Sequence, residues 1–317
     1  MIENKSICIV VPVYNVGNKI VDFISSIPDY VDKIIVIDDK CPLKSGLILK
    51  KNIPENKKLN ILFNENNLGV GGTVKRGYNE ALKSNEDIII KIDGDGQMDP
   101  DQIPILTKSI INGYDYSKGN RFLNNTYIKN YPLERFYGNK FLSLFSKLST
   151  GYWDIFDPIN GFTAIKREKL NNINLDDIDN GYFFETDMLF NLYLLKSKIK
   201  DVPVKIKYFK NHRQNLSVFR ESFNFFFKNL HRLLKRIKIS YLSNNFGLPG
   251  LLFSIGSISL MFTLFYGGFN WLYYSFIKET FAPNGVITFS AISLIVGLFS
   301  MFMFMIIDNN NNPNLKK

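Results

Sequence analysis

The 317-residue chain contains only two cysteines, two histidines and two tryptophans. Cys8 lies in an apolar run and Cys41 in a turn, with no CxxC and no Cys/His ligand spacing. Neither a disulfide framework nor a zinc site is therefore expected, and both thiols read as free in a reducing compartment. His212 and His231 sit in basic surroundings and read as surface residues rather than general bases. The lack of a glycine-rich loop ending in Lys-Ser/Thr argues against a P-loop nucleotidase. The N-terminus starts polar, and its apolar run is short and contains proline, unlike a signal peptide. Charge is missing altogether from Phe246 to Ile277 and from Thr280 to Ile307. Each stretch exceeds the roughly 20 apolar residues a spanning helix needs. Mean hydropathy is nevertheless near zero, because the first two-thirds of the chain is mixed and charged. A purely soluble protein and a many-span transporter are both excluded.

What is present alternates. Ile7–Val13, Lys33–Asp38, Leu59–Phe63 and Asp87–Ile92 are short runs dense in Ile and Val, and read as strands. Amphipathic helical patterns near 18–27, 44–52, 70–84 and 101–112 separate them. Continuous rather than period-two apolar strands, alternating with helices, predict an α/β fold with a mostly parallel sheet covered on both faces. Tyr114–Lys118 reads as a further strand, Leu133–Ser149 as a helix, the stretch after Asp187 as a helix to about Lys196, and Ile199–Tyr208 as a last strand. From Phe219 to Leu242, residues Phe219, Phe223, Phe226, Leu230, Leu233, Ile237 and Tyr241 recur at helical spacing. Arg220, Asn224, Lys228, His231, Arg232, Lys235 and Lys238 fall opposite them. Such a basic amphipathic helix before a membrane span reads as interfacial, lying on anionic membrane lipid.

The expected organisation is a cytosolic domain over 1–212, an interfacial region over 213–245, two transmembrane helices within 246–307, and a short tail over 308–317. Lysines and arginines flank the hairpin, including Lys316 and Lys317, whereas its tip carries only Lys278 and Glu279. The positive-inside rule then places both termini in the cytosol, in a two-span protein of the cytoplasmic (inner) membrane. The net charge of +10 concentrates beside the spans, not in an aromatic-interleaved groove, so nucleic acid is not an expected partner.

In parallel sheets, ligands bind beyond the carboxyl ends of the strands. Here those ends carry Tyr14-Asn15, Asp38-Asp39, the segment Asn64 to Gly72, and Asp93-Gly94-Asp95-Gly96-Gln97. Turn formation explains one acidic, glycine-containing strand end better than it explains four at one edge. Asp93 and Asp95, two residues apart behind a strand, can hold Mg²⁺ or Mn²⁺ while leaving positions for substrate phosphates, and Gln97 can add a neutral oxygen. Such a metal would neutralise a diphosphate leaving group. Gly69, Gly71 and Gly72 suit either phosphate approach or close helix packing.

Four segments, Val11-Pro12-Val13-Tyr14-Asn15, Ile34 to Asp39, Asn67 to Gly72 and Asp93 to Gln97, occur in an order and spacing that resemble the family 2 inverting glycosyltransferases of GT-A fold. The likeness is to the dolichyl-phosphate mannose synthase-like, polyprenyl-phosphate branch. Asp157-Pro158-Ile159-Asn160-Gly161-Phe162 resembles that branch's acceptor-side motif, and Gly119-Asn120-Arg121-Phe122 its Gly-x-Arg-Tyr segment. The resemblance implies that Pro12, Tyr14 and Asp38, with Asp39 beside them, meet the nucleoside, and that Gly71 belongs to the cofactor-side loop. It implies that Asp93 holds ribose or metal, and that Asp95 and Gln97 hold metal and diphosphate. Arg121 would balance phosphate charge, Asp157 would lie by the acceptor and anomeric carbon, and Glu185 and Asp187 would lie near the acceptor. The chain departs from the family pattern at Val16, at Asp39-Lys40-Cys41-Pro42, and at Lys210-Asn211-His212-Arg213, where only Arg213 is carried over for a basic acceptor loop.

The implied activity is metal-dependent transfer of a sugar from a nucleotide donor, UDP-sugar ahead of GDP-sugar, to polyprenyl (undecaprenyl or dolichyl) phosphate. A phosphate monoester is already anionic near pH 7, so it can attack without the placed base a hydroxyl needs. Alternatives are a related transferase extending a lipid-linked or cell-surface glycan at a hydroxyl, and a non-catalytic nucleotide-sugar-binding membrane scaffold. Association of the spans into a homo-oligomer is also implied by this architecture.

Overall fold

The first strand, β1 (Ile7–Val13), shows why this sequence builds a two-sided sheet. Its side chains alternate between faces. Ile7, Ile9, Val11 and Val13 join one apolar cluster, and Cys8 and Val10 join another. A computed structural model describes residues 1–53, 57–123, 133–207, 218–243 and 246–315. The chain forms two units, Met1–Arg232 and Leu233–Lys317.

In the first unit β1 is followed by α1 (Lys19–Ser25), β2 (Lys33–Asp38), α2 (Ser45–Asn52), β3 (Leu59–Phe63), α3 (Gly69–Leu82), β4 (Ile88–Lys91) and α4 (Ile103–Ile111). Then come β5 (Tyr116–Asn120), α5 (Leu133–Thr150), β6 (Thr163–Lys166), α6 (Arg167–Asn171), α7 (Phe184–Leu194), β7 (Ile199–Pro203) and α8 (Val218–Ile237). Among the described residues, seven strands order as β3-β2-β1-β4-β6-β5-β7. Only β6 runs antiparallel to its neighbours, β4 and β5. Ile20, Phe23 and Ile24 of α1, with Ile103 and Leu106 of α4, close one face. Val74 and Tyr78 of α3, with Met188 and Leu189 of α7, close the other. Each such aliphatic side chain contributes on the order of 2 kcal/mol by leaving water.

The α/β fold and its mostly parallel sheet agree with the sequence reading, with two differences. The strand β6 was not anticipated, because Thr163-Ala164-Ile165-Lys166 is short and half polar. The last strand stops at Pro203, short of the expected Ile199–Tyr208 span, whose final residue lies outside the described residues, although Ile206 still bridges to Met98. Helix α8 leaves the Phe223, Phe226 and Leu230 part of its periodic stripe uncovered and buries Ile237 of the same stripe. Phe225 packs edge-on against Phe183 at 5.4 Å, and Asn229 lies buried against Ser149. Phe223, Phe226, Phe227 and Leu230 are exposed. Lys228 and Arg232 do not form a free cationic face: they pair with Asp179 and Asp187. His231 is exposed. His212, Arg213, the rest of that basic loop, Lys316 and Lys317 lie outside the described residues.

In the second unit, α9 (Leu248–Ile277) and α10 (Asn284–Asn310) are each long and apolar enough to cross a membrane. Small residues let them pack closely. A Cβ on Gly256 would lie 2.9 Å from Met301, and one on Gly297 would lie 2.8 Å from Leu260. The Ser293 hydroxyl donates to the Ser259 carbonyl at 2.8 Å. Asp308, 1 % exposed, accepts from both terminal nitrogens of Arg236, at 2.6 and 2.9 Å, and from the Tyr241 hydroxyl at 2.6 Å.

Candidate active site

The reversal of β6 assembles the site. Segments that follow the parallel strands β4 and β5 leave at one sheet edge, and the segment that precedes an antiparallel strand enters at the same edge. Asp157 to Phe162 therefore meets Asp93–Gln97 and Asn120–Arg121. Thr163 pairs in register with Lys91 on one side and Lys118 on the other.

Arg121 and Asp157 join directly. The guanidinium donates from Nε to Asp157 Oδ2 and from Nη2 to Oδ1, both at 2.7 Å, and the Arg121 backbone N–H adds a bond at 3.1 Å. Asp157 is fully buried and Arg121 is 17 % exposed. Behind them Asp201 of β7 accepts from the Asn120 amide at 2.6 Å and from the Phe156 N–H at 3.0 Å, which ties the two loops together. Burial pushes the Asp201 carboxyl up to about 7, against those two donors, and Asp157 pushes it further in the same direction. Lys118, wholly buried in β5, donates to the Asn160 carbonyl. Burial depresses its ammonium to about 8, while the carboxylates of Glu185, Asp157 and Asp201 oppose the fall.

A second cluster lies behind β4. The ammonium of Lys91, 1 % exposed, is 3.0 Å from Asp93 Oδ1 and 2.8 Å from Glu185 Oε1. Burial pulls the Lys91 ammonium down, but Asp93 and Glu185 together outweigh it and hold the group above the usual lysine value. Gly161 makes room: a Cβ there would collide with Lys91 Nζ and lie 3.0 Å from Asp93 Oδ2. Asp95 is half-buried and accepts from the Gln97 N–H at 3.0 Å, in a turn closed by Gly96 at φ +77°. Asp93 Oδ1 is buried without an aligned hydrogen bond, despite the nearby ammonium. Among the described residues, no group of three or more His, Cys, Asp or Glu side chains is placed to hold a metal ion. Asp93 and Asp95 could hold one together with phosphate oxygens, since Mg²⁺ sites commonly use one or two carboxylates plus substrate phosphates.

The remaining expected residues divide. Tyr14 is 52 % exposed at the end of β1, beside partly buried Pro12. Asp38 and Asp39 are buried, and their carboxylates are used within the fold. Asp38 accepts from the N–H groups of Cys41 and Gly46, each at 2.7 Å, and so holds the loop into α2. Asp39 accepts from Asn64, Leu68 and Gly69 at 2.7, 2.8 and 3.1 Å, and so fixes the start of α3. The Cys41 thiol accepts from the Asn15 N–H at 3.1 Å, which links this loop to the Tyr14-Asn15 turn. Gly71 is a packing glycine, because a Cβ would strike the Asp179 carbonyl and lie 2.9 Å from Phe184 Cβ. Asp187 is not brought to the cluster. Two residues apart on a helix lie on different faces, and Asp187 is fully buried against Arg232, at 2.6 and 2.8 Å. Burial pushes its carboxyl up against the pull of that guanidinium.

Lys91, Lys118, Asn160 and Asp201 were not singled out from the sequence. The signal was there for Lys91, a charge between Ile90 and Ile92, but not for Lys118, which lies between Ser117 and Gly119.

The family model "Glycosyl transferase family 2" matches residues 8–173. The undecaprenyl-phosphate mannosyltransferase of Micrococcus luteus is 26 % identical over 62 % of this chain and 81 % of its own length. The UDP-N-acetylglucosamine–dolichyl-phosphate N-acetylglucosaminyltransferase of Methanococcus voltae is 28 % identical over 65 % of this chain and 87 % of its own. Among solved structures, glucosyl-3-phosphoglycerate synthase from Mycobacterium tuberculosis, in complex with Mn²⁺, UDP and glucosyl-3-phosphoglycerate, superposes with a TM-score of 0.53. It shares 19 % identity, with 74 % of this chain and 80 % of that one covered, a likeness of fold. With a GT-A-type sheet and a family match across half its length, the chain belongs to glycosyl transferase family 2.

Proposed function

We propose that the chain transfers a sugar from a nucleotide-sugar donor to a polyprenyl phosphate, on the cytosolic side of a membrane in which α9 and α10 anchor it. One observation carries the choice of acceptor. Each carboxylate that a hydroxyl-directed transferase would use as base already holds a cation: Asp157 holds Arg121, Glu185 holds Lys91, and Asp187 holds Arg232. A base must be free to turn towards the proton it removes. Both oxygens of Asp157 and of Asp187 accept from a guanidinium, and Glu185 Oε1 accepts from the Lys91 ammonium, so each carboxylate is held in place by its cation. An acceptor that arrives ionised needs no such base. One of its phosphate oxygens bonds to the anomeric carbon from the face opposite the leaving group. The bond from that carbon to the diphosphate oxygen breaks with its electron pair, and a nucleoside diphosphate departs with inversion.

Asp93, Asp95 and Gln97 would hold Mg²⁺ or Mn²⁺, which when bound supplies charge neutralisation at the departing diphosphate. Tyr14 and Pro12 would border the nucleoside. Arg121, kept in orientation by Asp157, would face the second phosphate, since guanidinium groups suit phosphate oxygens. The relatives named above, which act on undecaprenyl and dolichyl phosphate by their names, support this acceptor class.

The test uses the full chain in detergent with Mn²⁺ or Mg²⁺, a panel of nucleotide sugars, and undecaprenyl phosphate. The expected result is nucleotide release from one donor that requires the lipid and stops with EDTA. Release indifferent to lipid phosphate but stimulated by a saccharide would overturn the acceptor assignment. No consumption of any donor would point to a binding scaffold instead.

A further inference from the structure

Lys91 ends β4 in the floor of the site, 94 residues from Glu185 in sequence, yet its ammonium touches both Glu185 and Asp93. Taking an ammonium out of water is costly unless carboxylates compensate it. The sheet itself does not need one: Ile88, Ile89 and Ile90 fill the preceding β4 positions with aliphatic groups. Gly161 leaves just enough room for the nitrogen, so the acceptor-side segment is fitted around it. The ammonium therefore serves the two carboxylates. With Lys91, Asp93 and Glu185 all ionised, the cluster carries one net negative charge. Without Lys91 it would carry two, and a divalent cation would be drawn inward between Asp93 and Glu185.

We infer that Lys91 is a positioning residue, a fixed internal cation that occupies the inner side of Asp93 and pins Glu185, leaving only the outer side of Asp93 for the donor's metal and diphosphate. This rests on the metal-dependent reading above. It makes a distinctive statement, namely that removing Lys91 tightens metal binding while it slows the reaction.

The experiment measures binding of Mn²⁺ alone to the full chain in detergent, by electron paramagnetic resonance of the free ion, beside kcat and KM in the lipid-dependent assay. Lys91→Met should bind Mn²⁺ more tightly, by on the order of tenfold, the usual scale for neighbours of metal ligands. Its kcat should fall by tenfold or more, with KM for the lipid little changed. Glu185→Gln, which leaves Asp93 alone to compensate Lys91, should bind Mn²⁺ more weakly by a similar factor. The double variant restores the charge count, so its Mn²⁺ affinity should return towards that of the unsubstituted protein, while kcat stays low. Should Lys91→Met not fold, Glu185→Gln decides alone: weaker Mn²⁺ binding supports the inference, and unchanged binding overturns it. Weaker or unchanged Mn²⁺ binding by folded Lys91→Met also overturns it. No Mn²⁺ binding by the unsubstituted chain would remove the metal reading itself, and this inference with it. Normal binding there with unaltered variants removes the role of Lys91 alone.

Discussion

Arg121 meets Asp157 with two side-chain donors in one plane, and its own backbone N–H adds a third bond to the same carboxylate. A lysine at this position keeps the charge but loses the fork, and so frees the carboxylate to turn. Hydrogen bonds to charged groups are each worth about 1.5–3 kcal/mol. Arg121→Lys is therefore expected to lower kcat by on the order of 10- to 100-fold in the lipid-dependent assay. The thermal midpoint should fall as well, because the carboxylate that loses a bond, Asp157, is fully buried. Full activity in that variant would show that orientation by Asp157 is not required. At the same scale, Asp38 and Asp39 show how a motif's carboxylates are held by the fold. Acidic residues behind a strand are recognisable in sequence. Whether their oxygens face a ligand or the backbone N–H groups of the next loop depends on how that loop closes, and here both close on N–H groups.

Among the elements, β6 does most to define the site and was the least visible beforehand. The parallel strands were legible because a strand buried on both faces must be apolar throughout, and Ile7–Val13 and Lys33–Asp38 are nearly so. β6 offers only Ala164 and Ile165 as apolar residues, and no periodicity can be read from four positions. The Asp157–Phe162 segment was recognised, but what brings it to Asp93 was not. Helix α8 shows the converse limit. Its helical period was clear, yet Phe225, which lies outside the Phe219–Tyr241 stripe, is the residue that packs against Phe183. The close fit where β6 begins gives a further prediction. Gly161→Ala introduces a Cβ against Lys91 and Asp93, and overpacking of this kind costs about 1–3 kcal/mol. Its thermal midpoint should fall and its turnover with it. Gly285→Ala, where an added Cβ meets nothing within 4 Å, should leave both unchanged. Equal behaviour of the two variants would refute the steric account.

On the scale of the whole molecule, the chain divides into a family 2 transferase unit and a unit built on two apolar helices. The second unit is held by polar contacts as well as by lipid-compatible packing. Arg236, Tyr241 and Asp308 form a buried cluster beside Phe304 and Ile237. Breaking one partner of a buried pair costs about 3–5 kcal/mol, whereas replacing both by apolar groups is often neutral. Arg236→Leu alone should therefore destabilise the protein in detergent, and Arg236→Leu with Asp308→Leu should recover most of the loss, read as thermal midpoints. If the double variant is no better than the single one, the pair is not what holds these segments. The same cluster bears on sidedness. If α9 and α10 cross a bilayer as proposed, groups 2.6 Å apart cannot lie on its opposite faces, so residues 236 and 308 would share one side. A fluorescent or phosphatase reporter fused after Lys317 would then report the side on which the proposed hairpin is entered as well as the side on which it is left.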